Sequence, residues 1–400
     1  MLIQRATKGP AVSVQEGLPL AEAIDKRFHF LFAVFMAGGN ATIFDSLKEA
    51  IGCREDVGSS WLPMEMYPKD FIVKLPPFSL NGTCANSYVT HKRIRAMEKR
   101  GIKFDAAFYF QHTIVTLLYG LRRRVPYLLA MDGTPLWYAK NGFWYAHPFF
   151  EPQRTIPRIK RLITRSVYAH AFHLLPLSNT VKKSLMEDYE IAEERITVVP
   201  PGINLRRWIG PQRPPRRAVT ETNPLRVLFV GADFLRKGGD LLLSVASRPE
   251  FKNVEIHFVT KSFTGIRSEN VFVHPNLTIN SEELINLYRT ADLFVLPTRA
   301  DSHSIASLEA MAMGLPVIAT NVGGIPDIIL DGETGYMIKP DDAEALADRL
   351  TRFVSHPETI GEMGTKCRKR VESHFNLQTN AERIVELLTK AATDRHNGVS

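Results

Sequence analysis

No run of about 18 uninterrupted apolar residues occurs in the 400-residue chain, so the sequence offers no membrane-spanning helix. Cysteine is scarce. Cys53, Cys84 and Cys367 are odd in number and scattered, which fits neither a disulfide framework nor a zinc site. Gly-x-Gly-x-x-Gly and Walker A sequences are both missing, which counts against dinucleotide-linked dehydrogenases and ATPases. Helix-turn-helix, zinc-finger and RNA-recognition signatures are also missing, so charge alone would speak for nucleic acid. The first residues, MLIQRATKGPAVSVQEG, lack the charged-then-apolar layout of a secretion signal. The expectation is a reduced, cytoplasmic protein without internal repeats.

What is present is ordinary globular composition, 44% hydrophobic and 23% charged. The length suits two domains of roughly 200 residues. The net charge of +8 hides an asymmetry. Residues 1–220 hold 31 Lys and Arg against 18 Asp and Glu, a net of +13; residues 221–400 hold 19 against 24, a net of −5. A basic half suits nucleic acid, an anionic membrane surface, an anionic substrate or simply solvent.

Strand and helix signals alternate along both halves, as parallel sheets with helical crossovers require. Apolar strands are predicted at His29–Met36, Ala106–Phe110, Tyr127–Met131 and Phe172–Pro176. After the proline- and arginine-rich stretch Leu205–Pro224 the rhythm restarts. Strands are then predicted at Leu225–Val230, Val254–Val259, Asp292–Leu296 and Pro316–Thr320. Helices are predicted at Gly239–Ser247, Ser281–Thr290, Ser304–Met313 and Ala343–Val354. A last amphipathic helix is predicted over Leu377–Lys390, with Asp394–Ser400 frayed. The expected organisation is a first domain at 1–205, a linker at 206–224, a second domain at 225–375 and a C-terminal helix and tail at 376–400. Two doubly wound domains put a cleft at the carboxyl ends of both sheets.

The most informative stretch is ADLFVLPTRADSHSIASLEAMAMGLPVIATNVGGIP, Ala291–Pro326. A buried strand ends at Pro297, and a helix opens near Ser302–Ser304. Its free N–H groups and dipole make an anion seat. Asp301 precedes that helix and Glu309 lies in its second turn. On spacing alone two readings are open. The carboxylates accept hydrogen bonds from a bound polyol, or Asp301 caps the helix and Glu309 is solvated. A second stretch, Gly231–Gly239, ends a strand and carries Arg236 and Lys237 into another helix. Fixed cations beside helix amides suit a diphosphate, and a solvated basic turn is the alternative.

Together these stretches resemble the signature of family 4 retaining glycosyltransferases, which have the GT-B fold. Asp301-x7-Glu309 stands where the family has Glu-x7-Glu, and Ser302-His303-Ser304 stands for Gly-Phe-Gly. Gly231 to Gly238 is similar to the family's Gly-x-x-x-x-Arg-Lys-Gly turn. The resemblance covers Phe28 to about Lys390 and is strongest over Leu225–Pro340. It implies an α/β fold of two Rossmann-like parallel-sheet domains facing a central cleft, with the C-terminal helix crossing back to the first. It also implies transfer of a sugar from a nucleoside-diphosphate sugar to a glycan or lipid-linked acceptor, with retention of configuration. The second domain would bind the donor and the first the acceptor.

In this resemblance Glu309 holds a ribose, Asp301 contacts the transferred sugar, and Arg236 and Lys237 grip the diphosphate. Gly39, His303, Ser304 and Ile305 complete the donor-binding set. The His303 ring fills the loop or contacts phosphate or sugar. Val273–Leu277 falls at the base-binding loop. Asp132, Asp301 and Lys237 are the catalytic candidates. Asp132 stands where relatives place a His, as an acceptor-side base or as a turn former. Gln111-His112 ends a strand at the same edge, with His112 either structural or functional. Ser178 is expected to cap the next helix. No Asp-x-Asp triplet occurs, which argues against the metal-dependent GT-A mode, and no cofactor is expected. Arg154–Arg165, basic with interleaved isoleucines and leucine, reads either as a helix lying on an anionic membrane or as a core helix with a basic outer face. The rival functions are a nucleotide-sugar epimerase of the same fold and a non-catalytic basic protein binding nucleic acid or lipid.

Overall fold

The computed structural model describes residues 28–36, 39–65, 82–141, 158–211, 218–266 and 268–398. Gly38, residues 154–157 and residues 212–217 of the expected linker lie outside them. The first sheet is built from β1 (Phe28–Phe35), β2 (Val57–Met64), β3 (Ala106–Phe110), β4 (Tyr127–Met131) and β5 (His173–Pro176). Its order is β2-β1-β3-β4-β5, and every pairing is parallel. The second sheet comprises β6 (Leu225–Val230), β7 (Val254–Val259), β8 (Val271–His274), β9 (Leu293–Leu296), β10 (Val317–Thr320) and β11 (Gly335–Ile338). Its order is β11-β10-β9-β6-β7-β8, again all parallel.

Helices supply the crossovers. In the first half they are α1 (Asn40–Gly52), α2 (Gly82–Lys99), α3 (Tyr119–Arg124), α4 (Pro135–Asn141), α5 (Arg158–His170) and α6 (Asn179–Tyr189). In the second they are α7 (Gly239–Ala246), α8 (Glu282–Thr290), α9 (Ile305–Ala312), α10 (Ile325–Ile328), α11 (Ala343–Ser355), α12 (Thr359–His374) and α13 (Leu377–His396). No described helix is long and apolar enough to cross a membrane.

The central strands read as unbroken apolar runs because both sheet faces are covered. Period-2 alternation then divides their side chains. Leu31, Ala33, Ala107, Tyr109 and Leu129 enter one core, with Val167 and Tyr168 of α5. Phe30, Phe32, Ala106, Phe108 and Leu128 enter the other. That second core is closed by α1 and by α13, whose Leu377, Ile384, Val385 and Leu388 are all buried in it. The final helix of the chain is therefore part of the first domain's core.

The chain thus crosses between the halves twice, and the crossings are bonded together. Ile203 N–H donates to Phe375 O at 2.7 Å, and Leu377 N–H donates to Ile203 O at 3.2 Å. The Asn380 amide donates to Pro200 O at 2.9 Å. Gly202 makes room for this, since a Cβ there would collide with the Leu377 backbone.

Several elements depart from the sequence expectations. β2, β8 and α12 were not anticipated. The apolar residues of β2 and α12 are diluted by Ser, Pro and Gly or by charge, and β8 is only four residues long, so no clear period shows. α13 continues to His396, beyond the expected frayed start at Asp394, because Ala391 and Ala392 are buried on the first sheet. Among the described residues of the basic segment Arg154–Arg165 the core reading holds only at Thr164, because the buried face of α5 lies mostly beyond the segment. Thr164, Val167 and Tyr168 of α5 are buried, whereas Ile159 is 72% exposed and Leu162 and Ile163 are exposed too.

Because α13 closes the first core from the far end of the chain, Leu388→Ala should cost about 2–5 kcal/mol. The loss should appear in the denaturant melt as earlier hydrogen exchange in β1 and β3. A loss confined to α11 and α12 would contradict this packing.

Candidate active site

In a doubly wound sheet the crevice opens where strand order reverses, at the carboxyl ends. The first sheet reverses between β1 and β3, the second between β6 and β9. Gly39 follows β1 and Gln111 follows β3. Arg236 and Lys237 follow β6, and Asp301 follows β9. The two switch points face each other.

On the second domain, the loops after β6 and β9 are joined by charge. Lys237 Nζ bonds the Asp301 carboxylate, and both side chains are largely buried. Burial lowers the Lys237 pKa, and Asp301 opposes that shift. The Arg236 guanidinium donates to Ala300 O at 2.8 Å and to Asp233 at 3.2 Å, so it is held at the same loop. Glycine permits the close backbone approach. Gly238 has φ 75°, and a Cβ on it would collide with Pro297 O. Gly323, at φ 57°, lies equally tightly against Asp301 O.

The helix mouth resolves the readings left open by spacing. Ser304, not Asp301, caps α9, accepting from Ser307 N–H at 3.2 Å. Asp301 is instead the partner of Lys237, so the cap reading fails. Glu309 is 6% exposed, so the solvated reading also fails. Its carboxylate accepts from the Tyr288 hydroxyl of α8 at 2.9 Å. Burial pushes its pKa up to about 7. Glu309 borders a crevice at the hinge with Asn280, Asn204 and Ile305. The Asn280 carbonyl oxygen there is buried without a protein partner.

His303 is buried, and neither ring nitrogen has a hydrogen-bond partner among the described residues. Burial lowers its pKa to about 4, so the ring is neutral at physiological pH. Ile305 opens α9 and packs against the cores of both domains. A Cβ on Gly39 would lie 3.3 Å from its Cδ1, so the β1 turn approaches the mouth of α9 closely.

The first domain brings Asp132, from the turn after β4, to the same place. Its Oδ1 accepts from the Gln111 amide and from the Tyr138 hydroxyl at 2.7 Å. Its Oδ2 accepts from Ser302, across the cleft, at 3.4 Å. Burial raises the Asp132 pKa, and these donors oppose the rise. Asp132, Ser302, Asp301 and Lys237 thus form one polar chain between the switch points. His112 is not part of it. It is buried against Tyr168, with its pKa lowered to about 4 by burial. Val273 and His274 end β8 and Pro275–Leu277 follow it, with the His274 ring stacked on His257.

Ser178 occupies the cap position of α6, but its side chain makes no capping bond. The acceptor there is Asp327 of the other domain. It takes the Asn179 N–H at 2.6 Å and the Asn179 amide at 3.1 Å. Arg299 was also not anticipated. It ties Leu235 O, Asp240 and Asp341 together and braces the loop that carries Lys237. Ser302 and Arg299 flank the recognised Asp301, which is the signal that could have found them. Asp327 and Tyr288 carry no local signal.

Two family profiles match the chain in succession. Glycosyltransferase Family 4 matches residues 54–207, and Glycosyl transferases group 1 matches residues 224–356. A D-inositol 3-phosphate glycosyltransferase of Rhodococcus erythropolis is 30% identical over 261 residues, covering 60% of this chain and 59% of that protein. An MMP alpha-(1->4)-mannosyltransferase of Mycolicibacterium hassiacum is 24% identical, covering 62% of this chain and 60% of that one. The chain therefore matches less than two thirds of the length of these curated relatives. Among solved structures, sucrose-phosphate synthase from Thermosynechococcus elongatus superposes with TM-score 0.72 at 18% identity. The match covers 91% of this chain and 99% of that one. Anabaena HepE, solved in complex with UDP, superposes with TM-score 0.64 at 13% identity, covering 90% and 100%.

The raised pKa of Glu309 makes a stability prediction with a definite sign. The folded state holds the proton more tightly than the unfolded chain. Stability from this group is full below about pH 4.5 and declines up to about pH 7, by about 3 kcal/mol. Glu309→Gln keeps an acceptor for Tyr288 and removes the ionisation. It should melt above the wild type at pH 8 and close to it at pH 5. Equal melting differences at both pH values would contradict a buried, uncompensated carboxylate.

Proposed function

The chain belongs to the group 1, family 4 glycosyltransferases of GT-B fold, and from that premise we propose that it moves a sugar from a nucleoside-diphosphate sugar to a glycan or lipid-linked acceptor, with retention of configuration. The observation that carries this reading is the Lys237–Asp301 pair at the second switch point, with the neighbouring Ser302 bonded to Asp132 of the turn after β4. The reading takes 225–375 as the donor domain, 1–205 as the acceptor domain, 206–224 as the linker between them and 376–400 as the returning helix and tail.

The donor diphosphate would lie at the β6–α7 turn, against Arg236, Lys237 and the N–H groups opening α9 behind Ser304. Its arrival draws the Lys237 ammonium onto phosphate. Asp301 is then freed to accept hydrogen bonds from the sugar hydroxyls, which are its polar replacement. Glu309 holds the ribose from the hinge side. Gly39 and Ile305 set how closely the first domain approaches the donor, and His303 supports the loop that carries Asp301 and Ser304. The acceptor oxygen then bonds the anomeric carbon on the face from which the diphosphate leaves. The bond between that carbon and the phosphate oxygen breaks. Its electron pair goes to the diphosphate, where Arg236 and Lys237 stabilise the growing charge. Asp132 takes the acceptor's proton, and its burial favours that role by raising its basicity.

The exposed end of α5 supports a peripheral contact with an anionic membrane. Ile159, Leu162 and Ile163 are bare to solvent among Arg158, Arg161 and Arg165, the composition of a helix lying at a lipid interface. An acceptor carried on such a surface would meet the basic first domain.

The donor reading is tested by thermal stabilisation with UDP, GDP, ADP, CDP and NAD. One diphosphate should stabilise the protein selectively, and Lys237→Ala should abolish that shift. Stabilisation by NAD alone, or by no nucleotide, would overturn it. The membrane contact is tested by co-sedimentation with phosphatidylcholine vesicles, with and without phosphatidylglycerol. Binding should require phosphatidylglycerol and weaken in Ile159→Ser/Leu162→Ser. Wild type that stays in the supernatant with both vesicles would remove the membrane from the reading.

A further inference from the structure

Gln111 is a buried residue of the cleft to which the mechanism above gives no task. It closes β3 at the first switch point, with φ 82° and ψ 132°. The other described residues with side chains at positive φ are Glu190, Asn280 and Asp341, at φ 56°, 61° and 59°. Those values lie near the ordinary left-handed basin, whereas Gln111 has left it in both angles. A side-chain-bearing residue persists in such a conformation only where its surroundings enforce it, and such residues gather at functional sites.

Here the surroundings are visible. The Gln111 N–H is held by Ala130 O at 2.9 Å, and the chain turns at once into the short helix His112–Ile114. The result of the turn is that the side-chain amide donates to Asp132 Oδ1. The two oxygens of Asp132 are then unequal. Oδ1 is tied to its own domain by Gln111 and by Tyr138 at 2.7 Å. Oδ2 has the long 3.4 Å bond from Ser302 of the opposite domain.

We infer that Gln111 is a positioning residue, whose strained backbone turns its amide onto Asp132 Oδ1 so that Oδ2 is the oxygen presented to the acceptor hydroxyl. The inference rests on the proposed role of Asp132 as base. In the transfer step Oδ2 takes the acceptor proton as the acceptor oxygen bonds the anomeric carbon and the diphosphate leaves with the electron pair of the broken bond. A carboxylate free to rotate would spend much of its time misaligned. The groups facing Asp132 are the Gln111 amide at the end of β3, the Tyr138 phenol of α4 and the Ser302 hydroxyl. Beyond Ser302, Lys237 and Asp301 pair with each other. Losing the amide removes a donor that favours the ionised form, so Asp132 should then titrate at higher pH.

The test uses the full chain as wild type, Gln111→Gly, Gln111→Asn and Asp132→Asn. Asp132 is followed by carboxyl NMR of carbon-13 aspartate, its resonance being the one lost in Asp132→Asn. Glycine adopts this conformation freely, asparagine keeps the strain that glutamine has, and neither carries an amide to the reach of Gln111. In both Gln111 variants Asp132 should titrate roughly one pH unit higher, with the cooperative thermal transition retained. Nucleoside-diphosphate release from UDP-, GDP- and ADP-linked glucose and mannose, with water as acceptor, should fall about 100-fold in kcat at unchanged KM. An unchanged Asp132 titration in the Gln111 variants overturns the positioning role whatever the activity. An Asp132→Asn enzyme as fast as wild type overturns the base, and this inference with it. An inactive Asp132→Asn beside Gln111 variants of wild-type titration and kcat overturns the role of Gln111 alone.

Discussion

The return of α13 to the first sheet is the constraint on which the cleft depends. Leu377, Ile384, Val385 and Leu388 lie in one core with Phe30, Phe32, Phe108 and Leu128. To reach it the chain must leave the second domain beside the point where it entered. The paired bonds between Ile203 and residues 375–377 fix those two crossings together. A single crossing would let the sheets turn freely. Two bonded crossings leave a hinge, and a hinge keeps the carboxyl edges opposed.

With the edges opposed, burial decides the chemistry. Lys237 and Asp301 are removed from water together, so each satisfies the other and neither is left as a lone buried charge. Among the described residues Glu309 has only the Tyr288 hydroxyl as a side-chain partner, and burial raises its pKa. Among the described residues the His303 ring nitrogens have no hydrogen-bond partner, and the ring is neutral. A site that bound its ligand without polar groups in want of partners would gain little from the ligand's hydroxyls and phosphates. The unmet polar groups are costs in the free protein and contacts in a complex.

Among the described residues the domains touch directly at places besides the hinge, and Thr180 donates to Gly323 O at 3.3 Å beside one of them. Gly39 approaches Ile305, Asp132 meets Ser302, and Asn179 meets Asp327. The last contact is a helix cap supplied by the other domain. It serves the orphan amides of α6 only while the cleft is in this arrangement, which ties the stability of a helix terminus to domain position. The exposed apolar end of α5 belongs to the same first domain, so in the proposed function one half would carry both the acceptor-side base and the surface that meets lipid.

Much of the architecture was legible in the chain. Apolar runs of strand length alternating with helical patterns dictated two parallel sheets, because a strand buried on both faces must be apolar throughout. The Gly231–Gly239 and Asp301–Glu309 stretches placed Lys237, Asp301 and Glu309 at one edge, because residues a few positions apart on a strand–turn–helix unit cannot be far apart in space. Other features depend on residues distant in sequence and carry no local pattern. Asp301 chose Lys237 over a helix cap, and Asp327 took the cap that Ser178 was expected to provide. Glu309 found Tyr288, and Gln111 was bent onto Asp132. Local sequence determined which elements form and which side chains stand at their ends, since propensity and periodicity act over a few residues. Only the tertiary structure decided who partners whom in the cleft, because that follows from the competition of buried groups for donors and charges brought together by the packing of distant segments.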